Sequence, residues 1–281
     1  MTKSYITSSI VLFNTQLDQL VRLLECINES KLIDHVYLID NSNNTLVDYT
    51  ATTKYFFVSY LKMESNLGYG AGHNIALRRA IQDRSEYHFV LNPDIYFTPD
   101  TLPMVLDRMR KDISIGQLMP KVLYPDGSMQ YLCKLIPSPL NFFYRRFLGR
   151  HFDFFTRKNN ELFELRFTGY LHEMNVPCLS GCFMLFRVSA LKEIGLFDER
   201  FFMYTEDFDI SRRMHSKFIT LFFPGAVIVH EHAKESYKNK KMLFIHILSV
   251  IRYFNKWGWF FDAERKIVNN KVIELLRKQM H

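Results

Sequence analysis

Glu206, Asp207 and Asp209 put three carboxylates into the short segment Thr205-Glu206-Asp207-Phe208-Asp209. Such a cluster can supply a general base if one carboxylate reaches the hydroxyl whose proton it takes. Acids are also favoured at a helix N-terminus by the helix dipole, so the cluster alone leaves both readings open. Asn92-Pro93-Asp94 follows an apolar run. A carboxylate presented there suits a hard divalent cation held against phosphates, or else a turn or helix cap. The segment from Asn66 through Gly68, Tyr69, Gly70 and Gly72 to Asn74 carries three glycines at alternate positions before a helix. Glycines let backbone come close to a ligand, and a helix N-terminus favours an anion. The spacing is not that of the dinucleotide fingerprint. His230 and His232 would share one strand face if the strand continued, and one of them could ligate a metal or simply be structural. Cys178 and Cys182 share a strand face and read as buried core, and Met129, Met174, Met184 and Met203 as packing residues.

Strand ends and helix starts must hold these residues. Apolar and β-branched runs predict strands over 4–13, 35–39, 55–63, 87–91, 117–124, 176–186, 218–223 and 226–230. Helical spacing appears over 17–27, 73–83, 100–111, 188–195 and 206–215, and the last 45 residues read as helical and amphipathic. Short strands alternating with helices predict an open α/β sheet, largely parallel. Ligands of such sheets bind beyond the carboxyl ends of the strands. The polar clusters at Asn14, Asp40-Asn41, Asn66–Asn74 and Asn92–Asp94 fall at those ends.

Composition narrows the partners. With 48% hydrophobic and 23% charged residues, the 281-residue chain is not disordered. Four cysteines are no disulfide framework, so a reducing compartment is expected. The net charge is +7, but it is unevenly placed. Residues 134–158 carry +5 and 234–281 carry +7, which leaves −5 for the rest. Both basic segments are rich in aromatics, among them Phe142, Phe147, Phe244, Trp257, Trp259, Phe260 and Phe261. The longest apolar stretch, 242–251, is half the ~20 residues a membrane span requires. The start lacks a signal-peptide pattern, so a cytoplasmic protein, peripheral to a membrane, is expected. A nucleotidyltransferase would want a basic glycine-rich loop near the N-terminus, and 10–16 has none. A nucleic-acid-binding module would suit the basic patches, but an acidic body does not fit a phosphate-tracking groove. No nucleic-acid partner is expected.

The order of motifs resembles a known family. An Asp-Asn strand end is followed by the Asn-x-Gly-x-Gly-x-Gly-x-Asn loop and Leu91-Asn92-Pro93-Asp94. Then come Ser180-Gly181-Cys182-Phe183-Met184, Gly195-Leu196-Phe197-Asp198-Glu199 and Phe202-Met203-Tyr204-Thr205-Glu206-Asp207-Phe208-Asp209, and a strand ending in His230. Over residues 4–235 this is similar to the rhamnosyltransferase-like branch of family 2 glycosyltransferases. The resemblance implies a GT-A fold over 1–235 with an aromatic and basic insertion at 134–173. A C-terminal helical, membrane-proximal extension follows at 236–281. It implies an inverting transferase with Asp207 as catalytic base and Glu206 in support. Asp40, Asn41, Asn66, Gly68, Asn74 and Asn92 would face the donor nucleotide. Asp94 and His230, with His232 as the weaker candidate, would bind a divalent metal, Mg2+ or Mn2+. The implied donor is dTDP-rhamnose, with a UDP-hexose or galactofuranose donor as the alternative. The implied acceptor is a polyprenyl-diphosphate-linked glycan at the inner membrane leaflet.

Overall fold

The structure, a computed structural model, describes residues 4–43, 48, 49, 52, 54–143, 160–231 and 240–280. His232 and the basic residues Arg145, Arg146, Arg150, Arg157 and Lys158 lie outside the described residues.

The first half forms β1 (Ile6–Leu12), α1 (Leu17–Ser30), β2 (His35–Asp40), β3 (Val58–Lys62), α2 (Tyr69–Gln82), β4 (Tyr87–Leu91), β5 (Ile95–Phe97) and α3 (Thr101–Arg110). The second forms β6 (Ile115–Leu123), α4 (Pro139–Phe143), β7 (Met174–Asn175), β8 (Phe183–Arg187), α5 (Val188–Ile194), α6 (Glu206–His215) and β9 (Ile219–His230). Two helices follow, α7 (Lys240–Trp257) and α8 (Ala263–Gln279).

The strands make one sheet in the order β3-β2-β1-β4-β8-β6-β9-β5, with β7 also paired to β9. β1 is buried on both faces, as a central strand covered by helices must be. It lies parallel between β2 and β4, and β3 continues the parallel run. β8 enters antiparallel between β4 and β6, while β9 runs parallel to β6. This is the expected open sheet, parallel in its first half and mixed in its second. α1 buries Leu20, Leu23, Leu24 and Ile27, one stripe at helical spacing. Each such side chain contributes about 1.5–3 kcal/mol on leaving water.

The short elements β5, β7 and α4 have no counterpart in the sequence expectation, and three further elements differ from it. α2 begins at Tyr69, not at 73, so Gly70 and Gly72 lie in its first turn. Packing requires them: a Cβ on Gly70 would sit 2.9 Å from Phe197, and one on Gly72 2.8 Å from Val11. The strand expected over 176–186 is only β8; residues 176–182 are irregular and are held by Val176 N–H to Thr220 and by Lys134 N–H to the Cys178 carbonyl. The strands expected at 218–223 and 226–230 are one strand. β9 passes through Pro224-Gly225 with a register jump, pairing Phe223 with Pro120 and then Val227 with Lys121. Extra residues on one strand bend it without ending it, and proline, having no N–H to pair, fits such a bulge.

The two C-terminal helices dock on α6. Arg212 reaches both carboxylate oxygens of Asp262 at 2.8 Å and stacks over the Trp257 ring. Asp209 accepts from Trp257 Nε1 at 2.9 Å, Lys256 Nζ at 2.6 Å and Arg213 Nε at 2.9 Å. Tyr253 and Phe254 of α7 are core residues. Among the described residues no helix is long and apolar enough to cross a membrane.

Candidate active site

The parallel strands deliver the first group of residues to their carboxyl ends. Asp40 is the last residue of β2, and its carboxylate is enclosed. One oxygen accepts from Ser42 N–H at 2.9 Å; the other accepts from Tyr60 OH at 2.6 Å and Lys62 Nζ at 2.9 Å. Burial raises the carboxyl, but these donors outweigh it and hold it below its ordinary value. Asn41 donates to the Gly68 carbonyl at 3.0 Å and so ties β2 to the glycine segment. Asn66 accepts from Gly68 N–H at 2.9 Å, closing a local turn. Gly68 has φ +89°, and a Cβ there would lie 2.4 Å from the Phe202 carbonyl oxygen. Only glycine fits that backbone and that contact. Asn74 lies further along α2, with its amide spent on the Phe197 backbone and Glu199. It clamps the 195–199 segment against the helix.

A second group meets where β4 ends and β9 ends. Asn92 N–H donates to the Cys182 carbonyl at 3.0 Å, and its side-chain amide lies 3.5 Å from His230 Nε2. Asp94 Oδ1 lies 3.4 Å from the same nitrogen. The other ring nitrogen of His230 faces Gln130 Oε1 at 3.1 Å, while Gln130 Nε2 donates to the His230 carbonyl at 2.7 Å. An amide oxygen accepts, so this contact places a proton on Nδ1 and turns Nε2 toward Asp94. Burial opposes the His230 cation, but the Cys182 sulfur and the Asp94 carboxylate push the imidazole up to about 10. Among the described residues there is no group of three or more His, Cys, Asp or Glu side chains poised for a metal. Asp94 and His230 provide two donors, and a fixed imidazole tautomer beside a carboxylate fits a divalent ion such as Mn2+. Gln130 has no sequence signal of its own. It follows an ordinary turn at 125–128, and only the fold brings it to His230.

The third group is the start of α6. Glu206 is buried, and its Oε2 has no hydrogen-bond partner among the described residues. Burial and the adjacent Asp207 charge push its carboxyl up to about 8. An oxygen so placed is stable as the uncharged acid. Asp207 is half-buried and differently served. Its Oδ1 accepts from Phe208 N–H at 2.8 Å and its Oδ2 from Gly181 N–H at 3.3 Å. Burial keeps it above its ordinary value, while the Lys134 charge and these two N–H groups draw it back. Burial thus raises both adjacent carboxyls, while Lys134, Phe208 N–H and Gly181 N–H draw Asp207 back toward its charged form. Asp209 is occupied by Arg213, Lys256 and Trp257 and serves packing.

Tyr69 sits between the second and third groups. Its hydroxyl donates to the Gly181 carbonyl at 2.5 Å. Burial, Glu206, Cys182, Asp207 and Asp94 all raise its phenol well above the ordinary value. The carboxylate of the metal-type pair and both acids of α6 are therefore close enough to act on one hydroxyl. Cys178 and Cys182 are buried, as expected of core residues.

A family model described as "Glycosyltransferase like family 2" matches residues 18–244. N-acetylglucosaminyl-diphospho-decaprenol L-rhamnosyltransferase of Mycobacterium tuberculosis, from strains CDC 1551 / Oshkosh and ATCC 25618 / H37Rv, is 30% identical over 210 residues. That match covers 70% of this chain and 66% of the relative's length. Among solved structures, GalNAc-T7 with UDP, GalNAc and Mn2+ superposes with TM-score 0.62 at 15% identity, covering 89% of this chain and 48% of that one. S. aureus TarS gives 0.57 at 14% identity, covering 96% and 43%. The mannosyltransferase PcManGT from Pyrobaculum calidifontis, in complex with GDP-Man and Mn2+, gives 0.54 at 16% identity, covering 89% and 65%. At these identities the structures speak to the fold, which is the GT-A fold. The chain belongs to glycosyltransferase family 2.

Proposed function

We propose that the protein is an inverting glycosyltransferase. It moves a sugar, in the first reading L-rhamnose from dTDP-rhamnose, from a nucleotide-sugar to a hydroxyl of a lipid-linked glycan. A UDP-sugar donor is the alternative. The observation that carries the reading is the Asp207 carboxylate, fixed by two backbone N–H groups beside the buried Glu206 carboxyl. The L-rhamnosyltransferase named above supports the rhamnosyl donor and the polyprenyl-linked acceptor.

In this mechanism Asp207 takes the proton of the acceptor hydroxyl. The hydroxyl oxygen attacks the anomeric carbon from the face opposite the leaving group. The bond to the nucleoside diphosphate breaks and its electrons leave with that group. Asn66, Gly68 and Asn41 shape the loop against which the nucleotide lies. Asp40, presented with Tyr60 and Lys62, marks the base end of the site. Asp94 and His230 would hold the divalent ion, which when bound neutralises the departing diphosphate. Gln130 keeps His230 in the ligating tautomer.

The C-terminal helices fit work at a membrane surface. Phe260 and Phe261, in the turn between α7 and α8, are 80% and 98% exposed. Phe244, Ile247 and Ile251 lie exposed at helical spacing along α7. Basic and aromatic residues together suit an anionic interface, at about 1 kcal/mol per Lys or Arg near it.

A donor panel read by nucleoside-diphosphate release, with EDTA as control, tests the chemistry. Release from one donor that stops with EDTA is expected; no release from any nucleotide-sugar would contradict the reading. Co-sedimentation with anionic vesicles tests the membrane part. Binding that weakens with salt is expected, and binding to neither anionic nor neutral vesicles would contradict it.

A further inference from the structure

We propose that Tyr69 is the positioning residue for the Asp207 base, acting through the backbone of Gly181. The inference rests on the transferase reading for its kinetic consequence, but not for its geometry. The Tyr69 hydroxyl donates to Gly181 C=O at 2.5 Å, and Gly181 N–H donates to Asp207 Oδ2 at 3.3 Å. One residue's peptide groups therefore link the phenol to the carboxylate. Gly181 lies in the irregular 176–182 segment, where no strand ladder fixes its orientation. Tyr69 restrains its carbonyl at 2.5 Å, and the Cys182 N–H of the same peptide unit donates to Ser180 Oγ at 3.4 Å. A Cβ on Gly181 would lie 3.3 Å from the Tyr69 hydroxyl, so the phenol packs directly against this residue.

Tyr69 is itself held from behind. Its backbone N–H donates to the Phe202 carbonyl at 2.9 Å, and its ring stands edge-on to His73 at 4.4 Å between centroids. His73 Nδ1 bonds Ser9 Oγ at 2.7 Å, Ser9 Oγ lies 2.8 Å from His88 Nε2, and His88 Nδ1 bonds Thr7 Oγ1 at 2.7 Å. These four side chains are fully buried. Burial lowers both imidazoles, so they are neutral and the chain carries no net charge toward the site. Small polar residues in the central strand β1, which cost the core apolar packing, thus become the anchor of a rigid stack. It runs from the middle of the sheet to the base.

The N–H of Gly181 bonds the charged form of Asp207 and so favours it. Other groups act on the same carboxylate: Glu206 from its own helix, Lys134 from the segment after β6, and Cys178 from the 176–182 segment. None of these is altered by removing the Tyr69 hydroxyl. Tyr69→Phe keeps the ring packing and releases the Gly181 carbonyl, and with it the backbone that presents the Gly181 N–H to Asp207.

Two measurements test this. Carboxyl carbon NMR of Asp207 against pH needs no donor sugar; Tyr69→Phe should raise its titration midpoint by about half a unit to one unit. With an active donor, kcat should fall about tenfold or more, with the donor KM nearly unchanged and the acid limb of the kcat profile moved up. An Asp207 midpoint equal to wild type in Tyr69→Phe overturns the inference. Ser9→Ala, further back in the stack, should give a smaller shift of the same sign; a shift of opposite sign also overturns it. A raised midpoint in a protein that transfers no sugar upholds the positioning and contradicts the transferase reading instead.

Discussion

His230 Nδ1 faces Gln130 Oε1 at 3.1 Å, which turns the other ring nitrogen toward Asp94. Partners of this kind commonly set metal affinity by about 10–100-fold. Gln130→Leu should weaken Mn2+ binding by that amount, as read from the electron paramagnetic resonance of free Mn2+. Gln130→Glu keeps an acceptor for Nδ1–H and should retain binding. Equal affinity in wild type and the leucine variant would detach Gln130 from the metal site.

The Arg212–Asp262 pair joins α6 to the C-terminal helices, with side chains 2% and 3% exposed. Removing Asp262 leaves the buried Arg212 with only the half-exposed Glu264 as its acidic partner, which costs up to about 3–5 kcal/mol. Asp262→Asn should lose stability on that scale in urea unfolding. The exposed Lys217–Glu193 pair offers the contrast, and Lys217→Ala should cost less than about 1 kcal/mol. Similar losses at both sites would mean that the C-terminal helices are not anchored through Arg212.

The Glu206 carboxyl, pushed up to about 8 by burial and by Asp207, makes stability depend on pH. The folded protein holds this proton more tightly than the unfolded chain, whose glutamates titrate near 4.3. The contribution is complete below the unfolded value and is lost as pH rises through about 8. Glu206→Gln has no proton to lose. Its Tm relative to wild type should therefore climb between pH 5 and about 9. A constant difference across that range would show that Glu206 is not held as the acid.

The sheet was legible because β2 and β4 are short, largely apolar runs, β1 is rich in β-branched residues and α1 is a clean stripe. The base cluster and the Asn92–Asp94 strand end could also be picked out, since carboxylates at helix and strand termini follow local rules. The start of α2 was hidden because Gly70 and Gly72 read as loop residues, while the fold uses them for close contact with Phe197 and Val11. β9 was hidden because Pro224-Gly225 reads as a turn, and only pairing with β6 carries the strand past it. Gln130 and Tyr69 were invisible as functional residues for a different reason. Each acts through a partner about 100 positions away in the chain, and nothing local marks such a contact.

The central claim is that Asp207 removes the acceptor proton, and Asp207→Asn tests it most directly. Amide and carboxylate are close in shape, so the donor site should survive. Sugar transfer should fall by about 10²–10⁴-fold. Donor Kd, measured by calorimetry on the same variant, should stay within about threefold. Near-wild-type turnover in Asp207→Asn, with donor binding intact, would contradict the account.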